Sequence, residues 1–244
     1  MKFGFFTDEG LDPQNLIKDP WNKLEWHPDI NKYGYRCPNW DVMPDGKKNV
    51  VILGCSHTFG QGLRPGDHWV DFLSQHNTER LRYWNLGVPG ASGQCCVRRL
   101  WASQKLMNPK IVIVCWPDIS RRPWYGEDRP FPIHGTDEKN KFQTERSDLQ
   151  DFLQNVFYVE KYGEVFNAKI FHCFATEYVY HQDMSSLNVL REQTIRNCWP
   201  HWDKFNARQI HVKPNLALDR KHYGREHHER FAGLFLEQFQ NKLK

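Results

Sequence analysis

Three short segments of this 244-residue chain carry side chains that together could cleave an ester. The first is residues 54–60 (Gly-Cys-Ser-His-Thr-Phe-Gly), which follow an apolar run of β-branched residues. This pattern predicts a tight turn between a buried strand and a helix, with Ser56 on the turn. The Ser56 hydroxyl is then exposed, and its backbone N–H faces the same space at a helix N-terminus. An ordinary turn with a capping serine fits the segment equally well.

The second segment holds Asp219 and His222, three residues apart in a loop before the last predicted helix. An aspartate at this spacing can bind one imidazole nitrogen, which fixes the tautomer and leaves the other nitrogen facing a serine. Because imidazole titrates near neutral pH, it can take the serine proton and return it to a leaving group. The chain has twelve histidines, so a surface aspartate and histidine at this spacing could also arise by chance.

The third segment is the glycine-rich stretch of residues 85–93 (Asn-Leu-Gly-Val-Pro-Gly-Ala-Ser-Gly), which follows another predicted strand. Glycines let a backbone N–H approach a ligand closely. Such a donor could stabilise the oxyanion of an acyl-transfer intermediate. The alternative is a plain connection from a strand to a helix.

Alternating strands and helices position these three segments. We predict strands over 49–54, 83–87, 110–115 and 168–174, with a short one at 208–212. We predict helices over 67–76, 94–107, 147–163, 185–197 and 224–242. The alternation indicates right-handed crossovers and a parallel sheet covered by helices on both faces. Sites in such sheets gather outside the carboxyl ends of the strands, so the three segments should converge there.

Taken together and in this order, the segments resemble the sequence blocks of the SGNH (GDSL-like) hydrolase superfamily. Residues 54–60 look like the first block, usually GDSxTxG, with Cys55 where aspartate is common. Residues 85–90 are similar to the second block, and residues 219–222 look like the fifth. The resemblance covers about residues 48–240. It implies an α/β fold of the flavodoxin-like type, a three-layer sandwich with a central parallel sheet.

The same resemblance implies a serine hydrolase of the esterase or acetyl-esterase type. Ser56 would be the nucleophile, His222 the base and Asp219 the partner of that base. The backbone N–H groups of Ser56 and Gly90 would form the oxyanion hole. No cofactor is expected, and the predicted substrate is a small-molecule or carbohydrate ester.

The third block of the superfamily departs from its usual GxND pattern in this chain. Pro117 or Asp118 stands where an oxyanion-binding asparagine is expected. Proline has no N–H, and an ionised aspartate would repel the oxyanion, so the Asp118 carboxylate should turn away from it, toward Arg121 or Arg122 if that turn is helical. Losing one donor typically costs about 2.7–4 kcal/mol of transition-state stabilisation. Slow turnover on generic esters follows, unless a substrate or an arginine of the lid supplies the missing charge.

Residues 116–146 are polar and rich in proline, glycine and aspartate, which predicts a loop insertion that forms a lid. Its candidate substrate contacts are Trp116, Asp118, Arg121 and Trp124. Because aromatic side chains stack on sugar faces, an O-acyl group on a carbohydrate is one candidate substrate, although plain packing would use the same residues. Residues 1–46 are predicted to be an irregular aromatic-rich arm that wraps the domain of residues 47–244 and is anchored by Trp21, Trp26, Tyr33, Tyr35 and Trp40.

Composition disfavours several other classes of protein. A net charge of +4 without a basic run gives no reason to expect a nucleic-acid partner. No apolar run approaches the roughly 18 residues of a membrane span.

Seven cysteines without a CxxC pair predict buried free thiols in a reducing compartment. The spacing of His57, His172 and His181 does not suit a metal site. No export signal is evident, so a cytoplasmic location is the default expectation.

A binding or structural module that keeps this fold with weak or no activity is the alternative prediction. The missing block-three asparagine favours it, and so does the arm, through which the chain could assemble into a larger complex. The chain also loosely resembles SGNH-like proteins of bacteriophages and marine bacteria, which implies a virion-associated esterase or structural component. Nucleotide binding is disfavoured, because no GxGxxG follows the first strand.

Overall fold

A four-stranded parallel sheet forms the centre of the structure, a computed structural model that describes residues 30–31, 33–39, 46–76, 78–125, 130–133, 144–174, 216–220 and 222–243. In chain order the elements are β1 (Lys48–Leu53), α1 (Ser56–Phe59), α2 (Trp69–Ser74), β2 (Leu81–Asn85), α3 (Gly93–Met107), β3 (Ile111–Trp116), β4 (Arg122–Tyr125), β5 (Pro130–Ile133), α4 (Glu145–Phe166), β6 (Lys169–Phe174), α5 (Arg225–Phe239) and a 3-10 turn (Gln240–Lys242). The strand order is β2-β1-β3-β6, and every pairing in this sheet is parallel. This is the α/β class that the alternating pattern predicted.

The central strands β1 and β3 are apolar over most of their length because helices cover both faces of the sheet. In β1 the run from Val50 to Leu53 is completely buried, and β3 is buried from its first residue to its last. Continuous apolar runs of β-branched residues are typical of parallel strands that are buried on both sides. The four predicted strands of this sheet are confirmed, each within about two residues of its predicted ends.

Side chains of β6 show that α4 and α5 lie on opposite faces of the sheet. The ring of Phe171 packs against Phe235 and Phe239 of α5, with centroids 6.0 and 4.9 Å apart. His172, the next residue, instead binds Glu160 of α4 at 2.8 Å. Successive side chains of a strand point to opposite faces, so the two helices form the outer layers of a sandwich.

Each layer is completed by a second helix. On the α5 side, Trp69 of α2 meets Phe231 edge-to-face, with ring centroids 5.1 Å apart. On the α4 side, Trp101 of α3 meets Tyr162 in the same manner at 5.6 Å. Edge-to-face pairs of this kind add stability beyond the apolar area that they bury. The aromatic residues of the chain therefore supply much of the described core.

The segment predicted as a loop insertion, residues 116–146, contains regular structure, so that prediction is wrong in part. Trp116 is still the last residue of β3, and β4 and β5 form an antiparallel hairpin in which Trp124 pairs with Phe131. Helix α4 begins at Glu145 and is capped by Thr144, whose side chain accepts from the Ser147 N–H. Short strands that contain proline lack the alternating pattern by which a strand is recognised.

The described part of the N-terminal arm packs into the core of the domain. Tyr35 is completely buried, and Asn31 organises the turn around it by accepting from the Tyr33 and Tyr35 N–H groups at 2.9 and 3.1 Å. The six described cysteines are all buried. The predictions made for Trp21, Trp26, Trp40, His181, Cys198, the helix at 185–197 and the strand at 208–212 lie outside the described residues. Within the described part, no helix is long and apolar enough to cross a membrane.

Candidate active site

Ser56 is the first residue of the short helix α1, directly after β1. The helix is one turn long: the Thr58 and Phe59 N–H groups bind the Cys55 carbonyl at 3.0 and 2.9 Å, and Gly60 closes the turn by donating to the Ser56 carbonyl at 2.9 Å. Gly60 has a φ of 76°, the left-handed conformation that ends many helices. The structure therefore places Ser56 on a sharp strand-to-helix turn, at the carboxyl edge of the sheet.

Asn85, the last residue of β2, fixes the glycine-rich loop against this turn. Its Nδ2 donates to the Thr58 carbonyl at 2.8 Å, and its Oδ1 accepts from the Gly87 N–H at 3.0 Å. A Cβ on Gly87 would lie only 2.6 Å from the Phe59 nitrogen, so the close approach requires glycine. The sequence marked this loop as an oxyanion candidate but did not reveal that the Asn85 side chain positions it.

Two backbone amides at this edge are open for an oxyanion. Among the described residues, neither the Ser56 N–H nor the Gly90 N–H donates a hydrogen bond. Gly90 has a φ of 75° and follows the loop that Asn85 holds against α1. These are the two backbone donors that the SGNH resemblance implied.

Asp219 and His222 form a hydrogen-bonded pair. The Asp219 Oδ2 lies 2.6 Å from the His222 Nδ1, and the Asp219 Oδ1 accepts from the His222 N–H at 3.0 Å. The carboxylate is buried, with 4% of the residue exposed. When an ionised Asp219 accepts from Nδ1–H, the Nε2 of the neutral ring is left as the basic nitrogen.

The loop that carries this pair docks beside the turn that carries Ser56. The Leu218 N–H donates to the Gly62 carbonyl at 2.9 Å. Gly62 has a φ of 78°, and a Cβ there would lie 2.7 Å from the Asp219 Cγ, so only glycine fits without displacing the carboxylate. The Ala217 N–H donates to the His222 carbonyl at 2.9 Å, and this hydrogen bond closes the loop.

The His222 ring lies next to the residue that follows Ser56. The ring centroids of His222 and His57 are 5.6 Å apart. No hydrogen bond joins Ser56 to His222, both of which are described residues. Such contacts are often long before a substrate binds. The Ser56–His222 contact therefore stays a prediction, whereas the His222–Asp219 contact is present.

Two neighbours of Ser56 are poorly suited to replace the proposed groups. Burial, followed by the nearby His222 and Arg121, lowers the pKa of His57 to about 3, so His57 is a weak base. Burial raises the pKa of the Cys55 thiol, which keeps the thiol protonated, although the Arg121 charge acts in the opposite direction. A thiol nucleophile must be ionised to react. Ser56 and His222 are therefore the better candidates at this turn.

The segment after β3 differs from its prediction. The Asp118 Oδ1 accepts from the Ser120 N–H at 2.8 Å and from the Ser120 Oγ at 2.6 Å, so the carboxylate turns into its own backbone. Arg122 instead binds Asp148 at 2.7 Å and Asp151 at 3.0 Å, both on α4. The predicted partnership of Asp118 with Arg121 or Arg122 is wrong, because the chain forms a tight aspartate turn there and not a helical turn.

Trp116 is a core residue and not a lid residue, which corrects another prediction. It is 1% exposed, and its Nε1 donates to the His172 Nδ1 at 2.9 Å. The His172 Nε2 binds Glu160, so both ring nitrogens of this core histidine have partners. Trp124 lies in β4, but its side chain is outside the described part of the chain. Among the described residues, no three histidine, cysteine, aspartate or glutamate side chains group as a metal site would require.

Several solved structures share the architecture described above. The esterase EstA from Pseudoalteromonas sp., in a structure inhibited by monoethylphosphonate, matches with a TM-score of 0.54 and 15% identity, over 81% of this chain and 99% of that one. A protein of the G-D-S-L family from Desulfitobacterium hafniense matches with a TM-score of 0.52 and 16% identity, over 78% and 97%. A two-domain esterase active on acetylated mannans matches with a TM-score of 0.52 and 16% identity, over 82% and 50%.

The chain has an SGNH hydrolase-like fold, as its sequence blocks predicted. The sequence by itself finds no match among protein-family models or curated proteins. Identities of 15–16% carry the fold alone, so the assignment of roles to residues depends on the geometry of this chain.

Proposed function

We propose that the chain is a serine ester hydrolase in which Ser56 is the nucleophile, His222 the general base and Asp219 the residue that orients the base. The observation that carries the proposal is the 2.6 Å contact of the Asp219 carboxylate with the His222 Nδ1, in a loop docked beside the Ser56 turn. The esterases that share the fold support the same chemistry.

The reaction would proceed in two balanced halves. The Ser56 Oγ attacks the ester carbonyl and its proton passes to the His222 Nε2, while the Ser56 and Gly90 N–H groups bind the oxyanion. Collapse of the tetrahedral intermediate expels the alcohol, which takes the proton from His222 and leaves an acyl-Ser56 ester. Water then attacks that ester with His222 again as base, and the acid and free Ser56 are released.

The proposed substrate carries a small acyl group, with an acetyl group on a carbohydrate as the favoured case. Support comes from the structural neighbour that acts on acetylated mannans. Acetate release from an acetylated mannan oligosaccharide, compared with release from a simple aryl acetate, tests this choice. A higher kcat/KM for the aryl acetate would remove the carbohydrate from the proposal and leave the esterase in place.

Covalent labelling of Ser56 tests the proposed function. The wild-type chain should react with a fluorophosphonate, gain one adduct by intact mass and hydrolyse p-nitrophenyl acetate. Ser56→Ala should lose both properties. Ser74→Ala is the matched control, because Ser74 lies at the end of α2 and donates only to the Asp71 carbonyl. Labelling that survives in Ser56→Ala would show that the nucleophile is wrong.

A module with the same fold and no esterase activity is the second candidate. The observation in its favour is that Asp118, which stands near the expected block-three asparagine, is engaged by Ser120 and offers no donor. A folded wild-type chain that neither labels nor turns over esters would support this candidate against the first.

A further inference from the structure

Arg121 lies at the sheet edge where Ser56 lies. Strands β1 and β3 are neighbours, with Leu53 opposite Val114, so the segments that follow them leave the sheet side by side. Their closeness is visible at Gly54, where a Cβ would lie 2.9 Å from the Cys115 carbonyl oxygen. After β1 the chain adds β2 on one side of β1, and it then crosses to add β3 on the other side. Ligands of open parallel sheets bind at such a switch point.

The Arg121 guanidinium has polar atoms in need of an acceptor. Its Nε and Nη1 are buried and have no hydrogen-bond partner among the described residues, although the side chain as a whole is partly exposed. Arg122, the next residue, is fully engaged with two carboxylates of α4 and anchors the turn. Buried charged donors without an acceptor are costly, and such groups often mark the place of a ligand.

The charge of Arg121 acts on the residues on either side of Ser56. After burial and His222, it contributes to lowering the pKa of His57, and it opposes the effect of burial on the pKa of the Cys55 thiol. An anion that forms at Ser56 would feel the same positive charge. The Asp118 carboxylate, which could otherwise neutralise it, is turned toward Ser120.

We propose that Arg121 donates a hydrogen bond to the oxyanion of the tetrahedral intermediate, in place of the asparagine that the third sequence block lacks. Arg121 keeps its proton throughout: attack by Ser56 converts the carbonyl π bond into an oxyanion, and the guanidinium binds that charge together with the Ser56 and Gly90 N–H groups. This inference rests on the proposed esterase function. It removes the reason to expect slow turnover, because the third donor is present as a cation.

Kinetics of Arg121→Gln on a neutral ester provide the first test. On p-nitrophenyl acetate, kcat should fall about 100- to 1000-fold with little change in KM, because the interaction strengthens only as the oxyanion forms. The rate of fluorophosphonate labelling of Ser56 should fall in parallel. Arg121→Lys should recover part of kcat, and Arg80→Gln, which removes an exposed arginine before β2, should change nothing.

An unchanged kcat in Arg121→Gln would overturn the inference. So would a loss confined to the KM for negatively charged esters, which would make Arg121 a contact for a substrate charge. The melting temperature of Arg121→Gln should not fall, because the change removes two buried N–H groups, Nε and Nη1, that have no partner among the described residues. A large fall in the melting temperature of Arg121→Gln, together with a folded but fully inactive Arg121→Lys, would assign Arg121 a structural role instead.

Binding of methylphosphonate, a tetrahedral anion, separates this inference from the proposed function. Isothermal titration should show binding to the wild-type chain, weakened at least tenfold in Arg121→Gln and unchanged in Arg80→Gln. If Ser56 does not label but binding depends on Arg121, the esterase proposal fails and the anion site stands. If Ser56 labels and binding does not depend on Arg121, the esterase stands and this inference fails.

Discussion

At the residue scale, the Asp219 carboxylate contacts His222 twice. One oxygen lies against the Nδ1 and the other accepts the backbone N–H, so the carboxylate fixes both the ring and its peptide. In Asp219→Asn the side-chain shape is kept, but the amide can donate to Nδ1 and favour the unproductive tautomer. We expect kcat for p-nitrophenyl acetate to fall about a thousandfold or more, with a KM near that of the wild type.

Asp67→Asn is the matched control for this substitution. Asp67 binds Arg225 at 3.2 Å on the surface, so its replacement removes one carboxylate charge and leaves the Asp219–His222 contact unchanged. Its kcat should equal that of the wild type. If Asp219→Asn retains more than about a tenth of wild-type kcat, Asp219 does not orient the base.

Single residues also show where sequence reasoning ends. The contact between Asp219 and His222 could be predicted, because both lie in one short loop. The partner of Asp118 could not, because the choice between Ser120 and an arginine depends on whether the backbone forms an aspartate turn or a helical turn. The core position of Trp116 could not be predicted either, because its hydrogen-bond partner, His172, is 56 residues away and only the folded sheet brings the two together.

At the scale of elements, two loops must dock for the site to form. The close approach of Asp219 to Gly62 predicts that Gly62→Ala displaces the Asp219 loop, since the new Cβ would lie 2.7 Å from the Asp219 Cγ. The positive φ of 78° adds a strain of roughly 1–2 kcal/mol. Since a misplacement of about 1 Å can cost on the order of 100-fold in rate, kcat should fall at least tenfold.

Gly66→Ala separates the clash from the strain. Gly66 has a φ of 86°, and a Cβ added there would meet nothing within 4 Å, so the substitution introduces the same backbone strain without a contact. Urea unfolding should show a loss of stability in both variants, larger in Gly62→Ala because the clash adds to the strain, whereas only Gly62→Ala should lose kcat. Equal kcat values in the two variants would mean that the docking of these loops does not govern the site.

Elements with a strong apolar pattern could be predicted, and elements without one could not. Strand β3 is a run of buried, mostly β-branched residues and could be predicted almost to its ends, whereas β4 and β5 are four residues each and pair Pro123 with Pro132. The helix α1 could be predicted only as a turn, because one helical turn has no periodicity to detect.

At the scale of the whole molecule, the N-terminal region supports the turn that carries Ser56. Arg36 Nη1 donates to the Gly60 carbonyl at 2.6 Å and to the Phe59 carbonyl at 3.4 Å, which satisfies the carboxyl end of α1. A cation at that end also suits the orientation of the helix carbonyls. Nothing in the sequence of the arm indicates this contact, because it joins residues 24 positions apart that belong to no shared motif.

A row of aromatic and imidazole rings runs from the site into the core. Tyr223 lies 5.8 Å from His57 and stacks on His227 at 4.3 Å, and His227 is followed by His228 at 6.4 Å. Burial, with Arg230 nearby, lowers the pKa of His227 to about 4. Burial, with neighbouring histidines and Arg36, holds the pKa of His228 well below its usual range, and its Nδ1 accepts from the Trp69 N–H. These histidines are neutral in the folded chain at pH 7.

Acid should therefore destabilise the fold in a defined range of pH. An unfolded histidine binds a proton below pH about 6.5, whereas folded His227 does so only near pH 4, so stability falls as the pH is lowered between these values. Each such histidine changes the free energy of unfolding by at most about 1.4 kcal/mol per pH unit. Urea unfolding from pH 7.5 to 4.5 should show a shallower slope in His227→Gln than in the wild type. The exposed His76→Gln should keep the wild-type slope. Identical slopes in all three chains would show that His227 does not stay neutral in the fold.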